Sequence, residues 1–283
     1  MRGQQRRCDV EAFSFPIRKG TPVSRGPVAG TVNISEGTVP DSVGVSPRSM
    51  IVAVQPPAYF PPLGYTALLA HVDHFILADT FRYRSESFQN RSKLRNAQGG
   101  HWITIPLFGN VEGAFLIDIE IETGGRWREK HWRSFLYDYR STMYFEYYQD
   151  TLRPFFDEKW SMLSHCVCRS VALQAELLGL RTTLTRASDL DGQPDSVPEI
   201  VEAVGADALV HPADAPPPEE VPVSQTPVRY EHPSYRQNFE GFVSGTTALD
   251  LLFNYGREAP RRMVRGLTSV EGPARHSNKE AER

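Results

Sequence analysis

Apolar residues along this chain come in short bursts whose spacing switches between the strand and helix periods. Ile51 to Val54 is a β-branched run of the kind that packs on a pleated surface. Prolines at 56, 57, 61 and 62 then bar a continuing ladder and predict a rigid, extended loop. Leu63 to Ala70 reads as a short helix, and Phe75 to Ala78 as a second strand ending on Asp79. Strand, loop, helix, strand, with polar residues at the strand ends, is how open α/β sheets build sites. Phe88 to Leu94 fits a strand or a helical turn, and Asn96 to Gly100 is a turn by composition. Trp102, Ile103 and Ile105 predict a strand stopped by Pro106, with Phe115 to Ile121 as its partner.

Helical spacing follows. Arg126 to Tyr139 puts Trp132, Phe135, Leu136 and Tyr139 on one face. Residues 150–180 predict a second long helix, broken near Pro154 and stopped at Gly179. A strand at Arg181 to Leu184, a helix at Glu199 to Val204 and a strand at Ala208 to Val210 repeat the alternation. The six prolines between His211 and Pro227 predict an exposed loop before an edge strand at Val228 to Tyr230 and a closing helix at Thr246 to Phe253. This order predicts an α/β fold, its sheet mixed or mainly parallel and flanked by helices, over residues 50–256. Residues 1–49 carry seven Lys or Arg against four Asp or Glu and no lasting apolar period, and read as a disordered extension. Residues 257–283 read as a polar tail that frays.

Charge and cysteine content narrow the setting. A formal net charge of -3 gives no general attraction to nucleic acid. No apolar run approaches the roughly 20 residues that span a bilayer, and the basic start at Arg2, Arg6 and Arg7 has no apolar run behind it. Cys8, Cys166 and Cys168 are an odd set, consistent with reduced thiols and a cytoplasmic location. GxGxxG, GxxxxGK[ST] and GxSxG are all missing.

Candidate chemistry concentrates between 79 and 131. Arg82, Arg84, Arg91, Lys93 and Arg95 form the densest basic set, and in a strand the last three share one face. Arginine offers a planar fork for phosphate or carboxylate, beside Gln89 and Asn90; the bland alternative is a solvated surface paired to acids. Asp79, at a strand end, suits a base, an amine-orienting group or a loop-fixing carboxylate. His101 and His131 each adjoin a tryptophan and are candidates for proton transfer, against the commoner role of satisfying a local hydrogen bond. Tyr144, Phe145, Tyr147 and Tyr148 suit sugar stacking or, more commonly, a core.

The segment from Gln55-Pro56-Pro57-Ala58-Tyr59-Phe60-Pro61-Pro62-Leu63-Gly64-Tyr65 resembles the QPxYFPxxGY opening of the WbqC-like proteins, with one extra residue before the tyrosine. Phe88-Gln89-Asn90-Arg91, Gly100 to Pro106, Trp127-Arg128-Glu129-Lys130-His131 and Leu249 to Gly256 extend the resemblance over about 50–256. Asp79-Thr80 stands where that family usually has two aspartates, and Ser85 where it has a lysine. The resemblance implies a bacterial protein linked to surface polysaccharides that transfers an acyl or aminoacyl group to an amino sugar. It implies Asp79, His101 and His131 as catalytic residues, with Gln55, Tyr59, Arg84, Gln89, Asn90, Arg91 and Asn254 binding substrate. The expected partners are an anionic small molecule or sugar nucleotide and an activated acyl or aminoacyl donor, with no nucleic acid. A non-catalytic sugar-binding role and metal-assisted chemistry at Asp79, His101 and His131 are the alternatives.

Overall fold

A computed structural model describes residues 49–216 and 220–270, so the extension expected over 1–49 lies, but for Ser49, outside the described residues. In chain order come β1 (Ile51–Gln55), α1 (Leu63–His71) and β2 (His74–Leu77), then the hairpin β3 (Arg91–Asn96) and β4 (Gly99–Thr104). Three helices follow: α2 (Trp127–Tyr139), α3 (Phe145–Asp157) and α4 (Leu163–Leu177). The chain then returns through β5 (Thr183–Arg186), α5 (Val197–Ala203), β6 (Ala208–Pro212) and β7 (Ser224–Tyr230). It closes with α6 (Ala248–Tyr255), α7 (Ala259–Val264) and β8 (Leu267–Ser269).

Six strands form one sheet in the order β5-β2-β1-β6-β7-β8. All its pairings are parallel except β7 with β8. β1 and β2 run in register from Val52 opposite His74 to Gln55 opposite Leu77. Both faces of the central strands are buried, which is why they read as continuous apolar runs. Ala53, Phe75 and Leu77 pack under α1 and α4 with Leu68, Leu69, Cys168 and Val171. Val52, Val54 and Ile76 pack on the other face against Ile200 and Val201 of α5. A separate aromatic core beneath the hairpin joins Phe60 to Phe135, Phe156 and Phe253 of α2, α3 and α6. Strand order reverses between β1 and β6, so the switch point of the sheet lies outside the carboxyl end of β1, at Gln55.

Four expectations are corrected. The Trp102 strand pairs with β3, from Arg91 opposite Thr104 to Asn96 opposite Gly99, and not with Phe115 to Ile121. The latter segment is bent by a 3-10 turn at Leu116–Asp118 and meets the chain beyond Pro106 at an isolated bridge, Leu107 to Ile121. The long helix over 150–180 is two helices, and the break falls at 158–162 instead of at Pro154, which lies inside α3. Backbone groups there serve another purpose: Ile121 N–H donates to Ser161 O at 2.8 Å and Leu163 N–H to Ile119 O at 2.9 Å. β7 begins at Ser224, four residues ahead of the expected Val228, and is no edge, because β8 covers it. The tail expected from 257 contains α7, with Ala259 and Met263 fully buried, and β8. Of the aromatic cluster, Phe145 belongs to the core, while Tyr147 is exposed.

Candidate active site

The loop after β1 carries Tyr59 into the aromatic core. Tyr59 N–H donates to Phe88 O at 2.8 Å and Phe60 N–H to Ser170 Oγ at 3.2 Å, while Phe60 O accepts from Ser92 Oγ at 2.9 Å. Phe60 takes φ 40°, a left-handed conformation that costs a non-glycine residue about 1–3 kcal/mol. Its ring is fully buried against Phe135, Phe155 and Phe156, and that packing holds the strain.

This arrangement aims the Tyr59 hydroxyl at His131 Nδ1, 3.0 Å away. Tyr59 Oη and His131 Nδ1 share this hydrogen bond, and the imidazole tautomer sets which of them donates. Burial, opposed by the Thr104 backbone and aided by the nearby charges of His101 and Lys130, lowers the His131 pKa to about 4. His131 is therefore neutral at pH 7, and its Nδ1 holds the Tyr59 hydroxyl in the core. Burial first, and then the Cys166 thiol, push the Tyr59 pKa well up.

His101 differs. Its Nε2 donates to Asp138 Oδ2 at 2.6 Å, and the two side chains are 31% and 11% exposed, so the imidazole reaches solvent while its partner is sheltered. Binding Nε2–H to a carboxylate leaves Nδ1 as the basic nitrogen. Asp138 was not anticipated, although a signal existed: it follows His131 by seven residues on α2, about two turns along the same face.

Among the described residues the hairpin that carries His101 has no third strand beside β4. Ile105 N–H donates to Asn90 O, so the alternation of the ladder turns the backbone groups of Gly100, Trp102 and Thr104 outward from β4. The Trp102 ring lies on the outer face, 43% exposed, with the Arg91 guanidinium 4.5 Å from its centroid and Phe88 at 5.2 Å.

The basic row of β3 does share one face, but its charges are engaged by backbone carbonyls. Arg91 Nε donates to Ser87 O at 3.1 Å and Nη2 to Glu86 O. Lys93 Nζ donates to Ser244 O at 3.1 Å, and Arg95 holds Asn96 O, Gly99 O and Glu240 O. Gln89 Oε1 accepts from Arg84 N–H at 2.8 Å, and Asn90 Nδ2 donates to Ile105 O at 3.1 Å. These residues shape the 84–91 loop, from which Arg84, Ser85 and Glu86 are exposed.

The remaining expected site residues lie apart. Asp79 is fully buried at the end of β2 and accepts from Ser188 N–H at 3.0 Å and Ser188 Oγ at 2.7 Å. Burial raises its pKa, against the Ser188 bonds and the Arg186 charge. It ties the β5–α5 connection to β2, as a loop-fixing carboxylate does. Thr80 donates to Pro194 O at 2.6 Å in the same connection. Gln55 ends β1 at the sheet's switch point, and Asn254 Nδ2 back-bonds to Asp250 O at 2.7 Å within α6. Among the described residues no three His, Cys, Asp or Glu side chains converge to hold a metal, so Asp79, His101 and His131 do not form the metal triad considered above.

A second buried network was missed entirely. Tyr235 Oη and Gln237 Nε2 donate to Asp250 Oδ2 at 2.7 and 3.0 Å, and Gln237 Oε1 accepts from Arg95 Nε at 3.2 Å. Burial raises the Asp250 pKa to about 6, held back by bonds from Tyr235, Gln237 and Tyr139 and by the Arg95 charge.

Comparison with known proteins agrees with the motifs. The model of the WbqC-like protein family matches residues 55–262. A Mycobacterium tuberculosis (strain ATCC 25618 / H37Rv) protein titled "Uncharacterized protein Rv1507c" is 30% identical over 222 residues, which cover 74% of this chain and 95% of that protein. No solved structure matches. No helix among the described residues is long and apolar enough to cross a membrane.

Proposed function

The chain belongs to the WbqC-like protein family, and from that premise we propose that it transfers an acyl or aminoacyl group to the amine of a nucleotide-linked or polysaccharide-precursor sugar. The observation that carries this reading is the His101–Asp138 pair, a solvent-reaching imidazole held by a sheltered carboxylate at 2.6 Å. A neutral amine that attacks an acyl carbonyl must shed a proton as the C–N bond forms, and general-base help of this kind is worth typically 10²–10⁴-fold. His101 Nδ1 takes that proton, Asp138 steadies the imidazolium, and the imidazolium returns the proton to the thiolate expelled as the C–S bond of the acyl donor breaks. The outward N–H groups of Trp102 and Thr104 are available to the developing oxyanion, and the exposed Trp102 ring offers a face to a sugar. In this reading Tyr59 and His131 position β4, and Arg84 and Gln55 remain as contacts for the anionic portion.

The test is incubation of purified protein with nucleotide-linked amino sugars and acetyl or glycyl thioesters, read by mass spectrometry. The sugar gains the acyl mass with the native chain, and the rate falls by about 10²-fold or more in His101→Ala and Asp138→Ala. Saturable binding of the sugar nucleotide without any acyl product across the panel would replace this reading with a non-catalytic binding role.

A further inference from the structure

We infer that the irregular segment 231–247 is the positioning element of the His101–Asp138 pair and acts through Asn238; this rests on the function proposed above. Asp138 lies in the last turn of α2, where helix carbonyls lack partners of their own. Asn238 Nδ2 fills that vacancy, donating to Asp138 O at 2.9 Å. The amide is also locked to the residues that follow the helix: Nδ2 lies 3.0 Å from Ser141 Oγ, and Ser141 Oγ donates to Asn238 Oδ1 at 3.3 Å. A single side chain from outside the helix thus holds both the turn carrying Asp138 and the chain's exit from it.

Asn238 is itself delivered firmly. On one side Gln237 is buried, bonded to Asp250 Oδ2, to Arg95 Nε and to Val243 N–H at 2.8 Å. On the other side Arg95 holds Glu240 O, and further on Lys93 holds Ser244 O. The cations that grip the segment belong to β3, whose partner strand β4 carries His101. The same two-stranded unit therefore fixes the base directly and its carboxylate indirectly, through a segment 100 residues beyond Asp138 in sequence. An ordinary structural cap would need no such link to the hairpin.

The experiment compares Asn238→Ala with Asn238→Asp, which keeps the shape but replaces the donor facing Asp138 O, and with Ser141→Ala, which leaves that donor in place. One readout needs no turnover: the low-field proton resonance of an imidazole N–H bonded to carboxylate, assigned by its loss in His101→Ala and Asp138→Ala. It is expected to broaden or shift in both Asn238 variants and to persist in Ser141→Ala. The second readout is kinetic, with a nucleotide-linked amino sugar and a glycyl or acetyl thioester. Both Asn238 variants are expected to lose about 10- to 100-fold in kcat, with KM within about twofold of native, because misplacing the pair affects the transition state and not sugar binding. A native resonance and native kcat in a folded Asn238→Asp chain would overturn the inference. Absence of product from the native chain would instead remove the proposed transferase reaction, while the resonance would still decide whether Asn238 positions the pair.

Discussion

At the scale of single residues, two buried titratable groups pull stability in opposite directions. His131 has its pKa lowered from 6.5 to about 4. Between those values the unfolded chain binds a proton that the folded chain refuses. Its contribution is therefore full above pH 6.5, and about 3 kcal/mol is lost as pH falls to 4. Asp250 has its pKa raised from 3.8 to about 6, so the folded chain keeps a proton that the unfolded chain gives up, and stability falls as pH rises through that window. Asp250→Asn keeps an acceptor for Tyr235 and Gln237 but cannot ionise. Its melting temperature relative to the native protein is expected to rise steadily from pH 4 to 6, read by thermal unfolding at half-unit steps; a difference that stays level would show that Asp250 does not titrate there. His131→Gln is expected to give the opposite trend, its deficit shrinking toward low pH. The two histidines also show what the sequence could reveal. Both stood beside a tryptophan, and nothing local told the saturated core imidazole from the reaching one. Their difference is made by Tyr59, Thr104 and Asp138, which are distant in sequence from one or the other.

At the scale of elements, the β1–α1–β2 unit was legible because β-branched runs and prolines act locally. The turn at Asn96–Gly100 was legible too, and Gly99 adopts φ 130° there, but the pairing of the Trp102 strand with β3 was not, because it is supported by side chains that bind distant backbone. The alternation of Arg91, Lys93 and Arg95 was read rightly as one face, yet its use as a row of carbonyl donors depends on the 84–91 loop and the 231–247 segment folding over it. That changes what an Arg91 substitution does. Arg91→Lys retains charge but cannot bridge Glu86 O and Ser87 O while lying over Trp102. It is expected to cost about 1 kcal/mol in overall stability and to speed amide exchange in residues 84–90, measured by hydrogen–deuterium exchange. Exchange unchanged in both Arg91→Lys and Arg91→Ala would mean that the fork is not what orders the loop. Trp102 fluorescence supplies a second check, since removing the guanidinium alters the surroundings of a half-exposed indole.

At the scale of the molecule, the sheet does not stop where apolar periodicity does. A reading by composition places a polar tail from 257, because Arg257, Glu258, Arg261, Arg262 and Arg265 crowd the short helix that follows. Six residues are too few to show a convincing stripe, yet α7 packs on α1 and buries Ala259 and Met263 completely. Beyond it Gly266 O accepts from Glu231 N–H at 2.8 Å, and β8 pairs with β7 from Val228 opposite Ser269 to Tyr230 opposite Leu267. A Cβ on Gly266 would lie 2.2 Å from Glu231 O, so the backbones meet too closely there for any other residue. The consequence is testable with one truncation and two substitutions in the full chain. Ending the chain at 256 uncovers the α1 face and leaves β7 as an exposed edge at the start of the 231–247 segment, and is expected to abolish a cooperative thermal transition or to yield aggregate. Met263→Ala is expected to cost about 2–5 kcal/mol, a fall in melting temperature of roughly 5–15 °C for a domain of this size. Gly266→Ala is expected to destabilise as well, because the fixed carbonyl of Glu231 must move. A fraying tail predicts that all three changes are silent, so native melting of Met263→Ala and of the chain ending at 256 would return residues 257–269 to that description.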